Sequence, residues 1–165
     1  MTDQRVPVVV QELTEVAPGL LDQINHLLGQ LSNSASPLAV SDLERIVQSQ
    51  ASRLFLARRG EHVLGMTTLV LAPIPTGLRA IVEDVVVDEH GRGQGVGRAL
   101  VEAALDAARR AGARHVDLTS RPSRVAAHAL YRSIGFVPRD TTVYRYAMDG
   151  SEPPAPQGSG GRVAG

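Results

Sequence analysis

Between a valine-rich run at residues 80–87 and an alanine-rich run that begins at Arg98 lies Arg92-Gly93-Gln94-Gly95-Val96-Gly97. These residue types at this spacing suit an anion. Glycine lacks the β-carbon that holds a ligand away from the main chain, and the first amides of a helix have no intrahelical acceptor, so several N–H groups can point at one phosphate cluster. The helix dipole adds to their effect, and Arg92 and Arg98 bring full positive charge to the same end. A phosphorylated cofactor is the expected ligand. Upstream, Glu83 and Asp84 are adjacent carboxylates in an apolar strand-like run. Strand alternation sends them to opposite faces, Glu83 with Val85 and Val87, Asp84 with Val86, unless a bulge changes the phase. One of them is expected to meet a polar cleft, and pairing with Arg79 or another strand's arginine is the structural alternative.

Spacing narrows the cofactor. A P-loop ends in Gly-Lys-Ser/Thr, and the chain contains no lysine. A dinucleotide fingerprint needs glycines at its first, third and sixth places; from Gly91, Gly93 or Gly95 the last place holds Val96, Arg98 or Leu100. What fits is Arg-x-x-Gly-x-Gly after a valine-rich strand, with Arg92, Gly95 and Gly97 in the fixed places. Here the chain resembles the GNAT superfamily of acyl-CoA-dependent N-acyltransferases, in which this loop cradles the pyrophosphate of acetyl-CoA. A second motif supports the resemblance. The family's Asn-x-x-Ala-x-x-Leu-Tyr followed by Gly-Phe is matched by Ala127, Leu130, Tyr131, Gly135 and Phe136, with Arg124 in the asparagine place. Arginine can still donate to a phosphate or a carbonyl, with changed geometry.

The resemblance implies roles. Residues 92–98, namely Arg92, Gly93, Gln94, Gly95, Val96, Gly97 and Arg98, together with Arg124, would bind the coenzyme. A bulge around Val85, Val86 and Val87 would free a main-chain N–H for the thioester carbonyl and let pantetheine lie along the strand. Tyr131 takes the place of the family tyrosine that protonates the departing sulfur, and an ordinary phenol keeps its proton at neutral pH. Its structural alternative is a packing tyrosine. Glu83, with Asp84 second, takes the place of the carboxylate that removes a proton from the acceptor through water. The implied reaction is direct transfer of acetyl from acetyl-CoA to a primary amine, expected to be a small molecule. A non-catalytic acyl-CoA sensor with the same cradle is the other reading.

Composition agrees with direct transfer. No cysteine is present to carry an acyl group or to ligate a metal, and neither His90 nor His128 has a partner at metal-ligand spacing, so no metal is expected. Seventeen basic residues balance seventeen acidic ones, which argues against nucleic acid or an anionic membrane as a partner. No stretch suits a membrane span and residues 1–5 lack the form of a signal peptide, so a cytoplasmic protein is expected. The segments expected to shape the acceptor pocket, residues 31–40, 72–77 and 138–142, carry no dense acidic cluster that would select a polycation.

These groups need a scaffold. At 165 residues the chain suits one domain, residues 1–149, with a Pro/Gly/Ser-rich, disordered tail at 150–165. A strand at 6–10 is followed by a helix at 18–31 with Leu20, Ile24, Leu27 and Leu31 on one face, a break at 32–37, and a helix capped by Ser41 that buries Leu43, Ile46 and Val47. Strands at 54–57 and 63–71 form a hairpin through 58–61, and two prolines and a glycine at 72–77 end the second of them. A strand at 78–88 enters the glycine loop, and a helix with an alanine stripe runs to Gly112. A strand at 113–120, a helix capped by Ser123 with Val125, Ala126, Ala129, Leu130 and Ile134 buried, and strands at 136–137 and 142–148 complete the chain. The expectation is an α/β GNAT fold, a mixed twisted sheet of about seven strands flanked by about four helices, whose sheet edges allow a homodimer.

Overall fold

Leu20, Ile24 and Leu27 lie one helical turn apart and are at most 1% exposed, so burial of one stripe fixes the first helix, α1 (Leu20–Leu31). The computed structural model describes residues 6–32 and 35–150. A second helix, α2 (Val40–Gln48), inserts Leu43 into the same layer. The strands are β1 (Val9–Glu12), β2 (Ser52–Arg59), β3 (His62–Ile74), β4 (Gly77–Val87) and β5 (Val116–Asp117), and the later helices are α3 (Val96–Arg110) and α4 (Val125–Ile134). They form one mixed sheet in the order β1-β2-β3-β4-β5, antiparallel except for the parallel β4–β5 pair. Alternation sorts its side chains into two layers. Phe55, Ala57, Leu69, Leu71, Ala80 and Val82 pack against the α3 stripe of Val96, Leu100, Ala104, Ala107 and Ala108. Leu54, Leu56, Met66 and Val86 meet α1 and α2 on the other face.

Several elements depart from the sequence reading. The first strand is shifted to Val9–Glu12, and α2 is capped at Ala39 rather than Ser41: Asp42 reaches back to accept the Ala39 amide at 3.0 Å. Asn25 of α1 fixes that entry by accepting the Leu38 N–H at 2.8 Å and donating to the Leu38 carbonyl at 3.1 Å. Strand β3 continues through Pro73 instead of ending before it, with Pro73 opposite Leu78. The Leu71 amide points at the Ala51 carbonyl of the β2 side, and Pro73, two residues on, faces the same way past the end of β2. Its missing donor therefore costs no ladder bond.

Among the described residues the sheet has five strands, not seven. The expected strand at 113–120 pairs with β4 only at Ala80↔Val116 and Ile81↔Asp117, and the chain then leaves the ladder. Without a longer edge there, residues 136–148 have nothing to extend, and Val143, Tyr144, Tyr146 and Met148 are 73–91% exposed. Helix α4 starts after Arg124, with no side-chain cap from Ser123. It buries none of its residues fully: Ala126 and Ala129 are exposed, Val125 is 74% exposed, and the inward stripe is Ala127, Leu130, Tyr131 and Ile134. Gly112 and Gly135 do follow α3 and α4 as expected, donating to the Arg109 carbonyl and to the Tyr131 and Arg132 carbonyls. Residues 151–165, most of the expected tail, lie outside those described.

Candidate active site

Two features of β4 open the sheet. Glu83 pairs with Thr68 and Val86 with Met66, so Asp84 and Val85 together face Thr67, a bulge one place before the trio that the resemblance pointed to. Asp84 takes φ 53°, a left-handed conformation that short carboxylate and amide side chains tolerate better than others. Buried Thr67 donates to the Glu83 carbonyl at 3.1 Å, holding the ladder where the pairing slips. The extra residue also changes the phase. Val85 and Val87 pack on the α3 side with Val82, while Val86 faces α1, so Glu83 does not share a face with Val85 and Val87 as simple alternation predicts. Beyond Ile81 no strand of the described residues lies beside this β4 edge, because β5 has ended.

The loop after β4 begins with a 3-10 turn at Glu89–Gly91, organised by Asp88. The Asp88 carboxylate, 6% exposed as a residue, accepts from the His90 amide at 2.9 Å and from Gln30 of α1 at 2.8 Å, and it contacts the His90 and His26 rings at 2.8 and 3.2 Å. Burial alone would raise its pKa, but the His90 amide, the Gln30 side chain and the His90 ring outweigh it and hold the carboxyl well below the usual range. The loop is thereby tied to α1. Gly95 follows at φ 79° as the N-cap of α3, and the first helical bond runs from the Ala99 amide to the Gly95 carbonyl. The Val96, Gly97 and Arg98 amides thus have no intrahelical acceptor. A β-carbon on Gly95 would enter open space, the place where a ligand can sit, whereas one on Gly97 would come within 3.1 Å of Leu130. Gly97 therefore lets α4 approach α3.

These elements enclose a cleft of about 670 Å³ lined by Gln30 and Leu31 of α1, Val85, Val86 and Val87, the segment from Gly91 to Arg98 except Gln94, the N-cap Arg124, and Ala126, Ala127, Leu130 and Tyr131 of α4. Most of the sequence-derived candidates are thus brought together. Gln94 turns elsewhere: it accepts from Arg59 at 2.6 Å and donates to the His90 carbonyl at 2.6 Å. Glu83 and Asp84 are exposed and do not line this cleft. The Glu83 pKa is raised, first by partial desolvation of its carboxylate and then by the charge of Asp84. Tyr131 is half-buried, its ring edge-on to Phe136 at 5.9 Å between centroids. Burial raises its pKa, against the opposing pull of the Arg124 charge. Arg92 lies along β4 with its Nε 3.4 Å from the Val87 carbonyl, and Arg98 is held by Glu102 at 3.1 Å and Ser133 at 2.7 Å. Arg124 donates to the Leu31 carbonyl at 3.1 Å, joining the end of α1 to the start of α4 across the cleft. His90 is exposed, while His128 is partly covered and its Nε2 is shielded.

Sequence reasoning missed Gln30 and Asp88, and it expected Leu31 only as the first residue of an acceptor-pocket segment. For Asp88 a signal existed, since an Asp at a strand end before a turn commonly accepts the amide two residues on. Gln30 and Leu31 reach the cleft only because α1 crosses β4, which no local pattern announces. A second cavity, about 790 Å³, lies on the His26 side of the loop, lined by His62, Arg59, Asp88 and His90 among others, and shares no lining residue with the first. No helix among the described residues is long and apolar enough to cross a membrane.

Known proteins share this arrangement. The sequence profile of the acetyltransferase (GNAT) family matches residues 21–136. An uncharacterised protein of Mycobacterium leprae is 28% identical over 136 residues, 82% of this chain and 36% of its own length. N-alpha-acetyltransferase 30 of Schizosaccharomyces pombe is 31% identical over 77 residues, 47% of this chain and 51% of its own. The chain thus spans roughly a third and a half of these two relatives. Among solved structures, a Trypanosoma brucei acetyltransferase superposes with a TM-score of 0.67 at 25% identity, covering 86% of this chain and 100% of that one. An aminoglycoside N-acetyltransferase in complex with CoA superposes at 0.76, with 16% identity, over 90% of this chain and 99% of that one, a likeness of fold. With its profile match spanning β4, the glycine loop and the Tyr131 helix, the chain belongs to the acetyltransferase (GNAT) family.

Proposed function

We propose that this chain transfers acetyl from acetyl-CoA to the primary amine of a small molecule by direct attack within a ternary complex. The observation that carries the reading is the cleft itself: unpartnered amides at the start of α3, open space beside Gly95, and three arginines, Arg92, Arg98 and Arg124, converging with one phenol, Tyr131. That set suits a diphosphate at one end and a departing sulfur at the other. The residues fit the coenzyme. Its pantetheine amides would lie along the unpaired β4 edge beyond Ile81, and main-chain N–H groups near the Asp84–Val85 bulge would polarise the thioester carbonyl.

In this reading the acceptor nitrogen attacks the acetyl carbonyl, the carbon–sulfur bond breaks, and Tyr131 gives its proton to the sulfur. The proton lost by nitrogen passes through water to Glu83, whose raised pKa suits a general base and whose exposure leaves room for that water. Glu83 and Asp84 would also draw a protonated amine to the bulge. Support for an amine acceptor comes from the acetyltransferases of similar sequence or fold, which include an N-alpha-acetyltransferase and aminoglycoside enzymes. Thiol release from acetyl-CoA over a panel of amines, amino acid analogues, peptide amines and aminoglycosides tests the reading. We expect at least one small amine to raise release well above the acceptor-free rate. Release unaffected by every amine, with coenzyme bound, would instead favour the binding-only sensor.

A further inference from the structure

An ordinary phenol titrates near 10 and an ordinary thiol near 8.5, so handing a proton from Tyr131 to a thiolate is uphill by about 30-fold in equilibrium. Tyr131 is half-buried, which makes its ionised form still less accessible. Something must offset the charge. The cleft lining contains no carboxylate among the described residues, and its cations are Arg92 from the loop, Arg98 from α3 and Arg124 at the N-cap of α4; β4 and α1 contribute no ionisable group to it. Arg98 is engaged by Glu102 and Ser133, and Arg92 lies along β4 toward the Val87 carbonyl. Arg124 differs. It stands at the N-cap of α4, seven residues before Tyr131, about 10 Å along the axis before the reach of either side chain, and both residues line the same cleft. A neutral acceptor, the Leu31 carbonyl, holds its guanidinium at the cleft, where no carboxylate lines the wall among the described residues.

We propose that Arg124 is the electrostatic partner of Tyr131: its guanidinium, held by the end of α1, offsets the negative charge left on the phenol oxygen when that oxygen gives its proton to the departing sulfur. The inference rests on the acetyl-transfer reading for its purpose. The step balances simply: the carbon–sulfur bond breaks, sulfur takes the phenolic proton, Tyr131 becomes a phenolate beside Arg124, and water returns the proton before the next turnover. Arg124 acts through Tyr131 and is a positioning residue. Its effect on the Tyr131 pKa is the downward pull that opposes burial.

The chain has three tyrosines and no tryptophan, so phenolate formation can be followed by ultraviolet absorbance in the free protein, and subtraction of the Tyr131→Phe titration isolates Tyr131. Arg124→Gln, which keeps a donor for the Leu31 carbonyl but removes the charge, should raise the Tyr131 midpoint by about 0.5 to 1 pH unit. Arg124→Lys should recover most of that change. In turnover, Arg124→Gln should lower kcat about three- to tenfold and move its alkaline limb upward. A Tyr131 midpoint unmoved or lowered in Arg124→Gln, or a lysine variant indistinguishable from glutamine, would overturn the proposal. Because the titration needs neither coenzyme nor acceptor, its failure leaves the acetyl-transfer reading standing, whereas failure of that reading appears in the amine panel.

Discussion

Replacing Tyr131 with phenylalanine removes one hydroxyl and keeps the ring that meets Phe136 edge-on at 5.9 Å. Packing is therefore retained while the proposed proton donor is lost, and kcat should fall by about 100-fold or more, with CoA affinity changed less than about threefold. Stopped-time thiol assays beside a CoA titration check this; an unchanged kcat refutes the acid role. At this scale the sequence was informative where a motif names a position, as at Arg92, Gly95, Gly97, Arg124 and Tyr131, all of which line one cleft. It misled where a side chain's direction depends on backbone phase. The bulge at Asp84–Val85 separates Glu83 from the face of Val85 and Val87, and Gln94 turns to Arg59, outcomes set by strand pairing and by loop packing.

Among the elements, the glycine loop is held from behind by α1, through Gln30 and His26 on the Asp88 carboxylate. Asp88→Asn should lower stability at neutral pH by about 1–3 kcal/mol, the range for a buried charged acceptor, and raise KM for acetyl-CoA more than it lowers kcat. The sign of its pH dependence follows from the depressed carboxyl: its stabilisation is present above the unfolded value near 3.9 and is lost as pH falls through the lower folded value. Acid denaturation should thus be shallower below about pH 4 in the variant than in the parent protein. Thermal unfolding across that range reads both slopes, and parallel curves would remove Asp88 from this role. Helices α1 and α3 were legible because a buried stripe repeats at their own period. The short β5 and the missing strands at 136–148 were not, since alternation in sequence forms a strand only where a ladder edge is offered, and that edge ends at Asp117.

Over the whole molecule, formal charge is balanced, so attraction for a polyanionic coenzyme has to be local, from the start of α3 and the three cleft arginines. Order of elements through α4, a mixed sheet with helices on both faces and the position of the loop were readable, because each of these strands and helices carries its own period and the glycines mark the junction. How α1, α4 and β4 meet around one cleft was not readable, since it depends on contacts between segments about a hundred residues apart, such as Arg124 with Leu31. Main-chain amides near Gly95 are proposed to grip the coenzyme diphosphate, and every other role depends on that grip. Isothermal titration of the intact protein and of Gly95→Leu with CoA tests it most directly. We predict saturable heat for the parent and affinity at least about tenfold weaker for the leucine variant, whose side chain is strained at φ 79° and occupies the ligand's space. Absence of heat from the parent at millimolar CoA, or equal affinity in the two proteins, would contradict it.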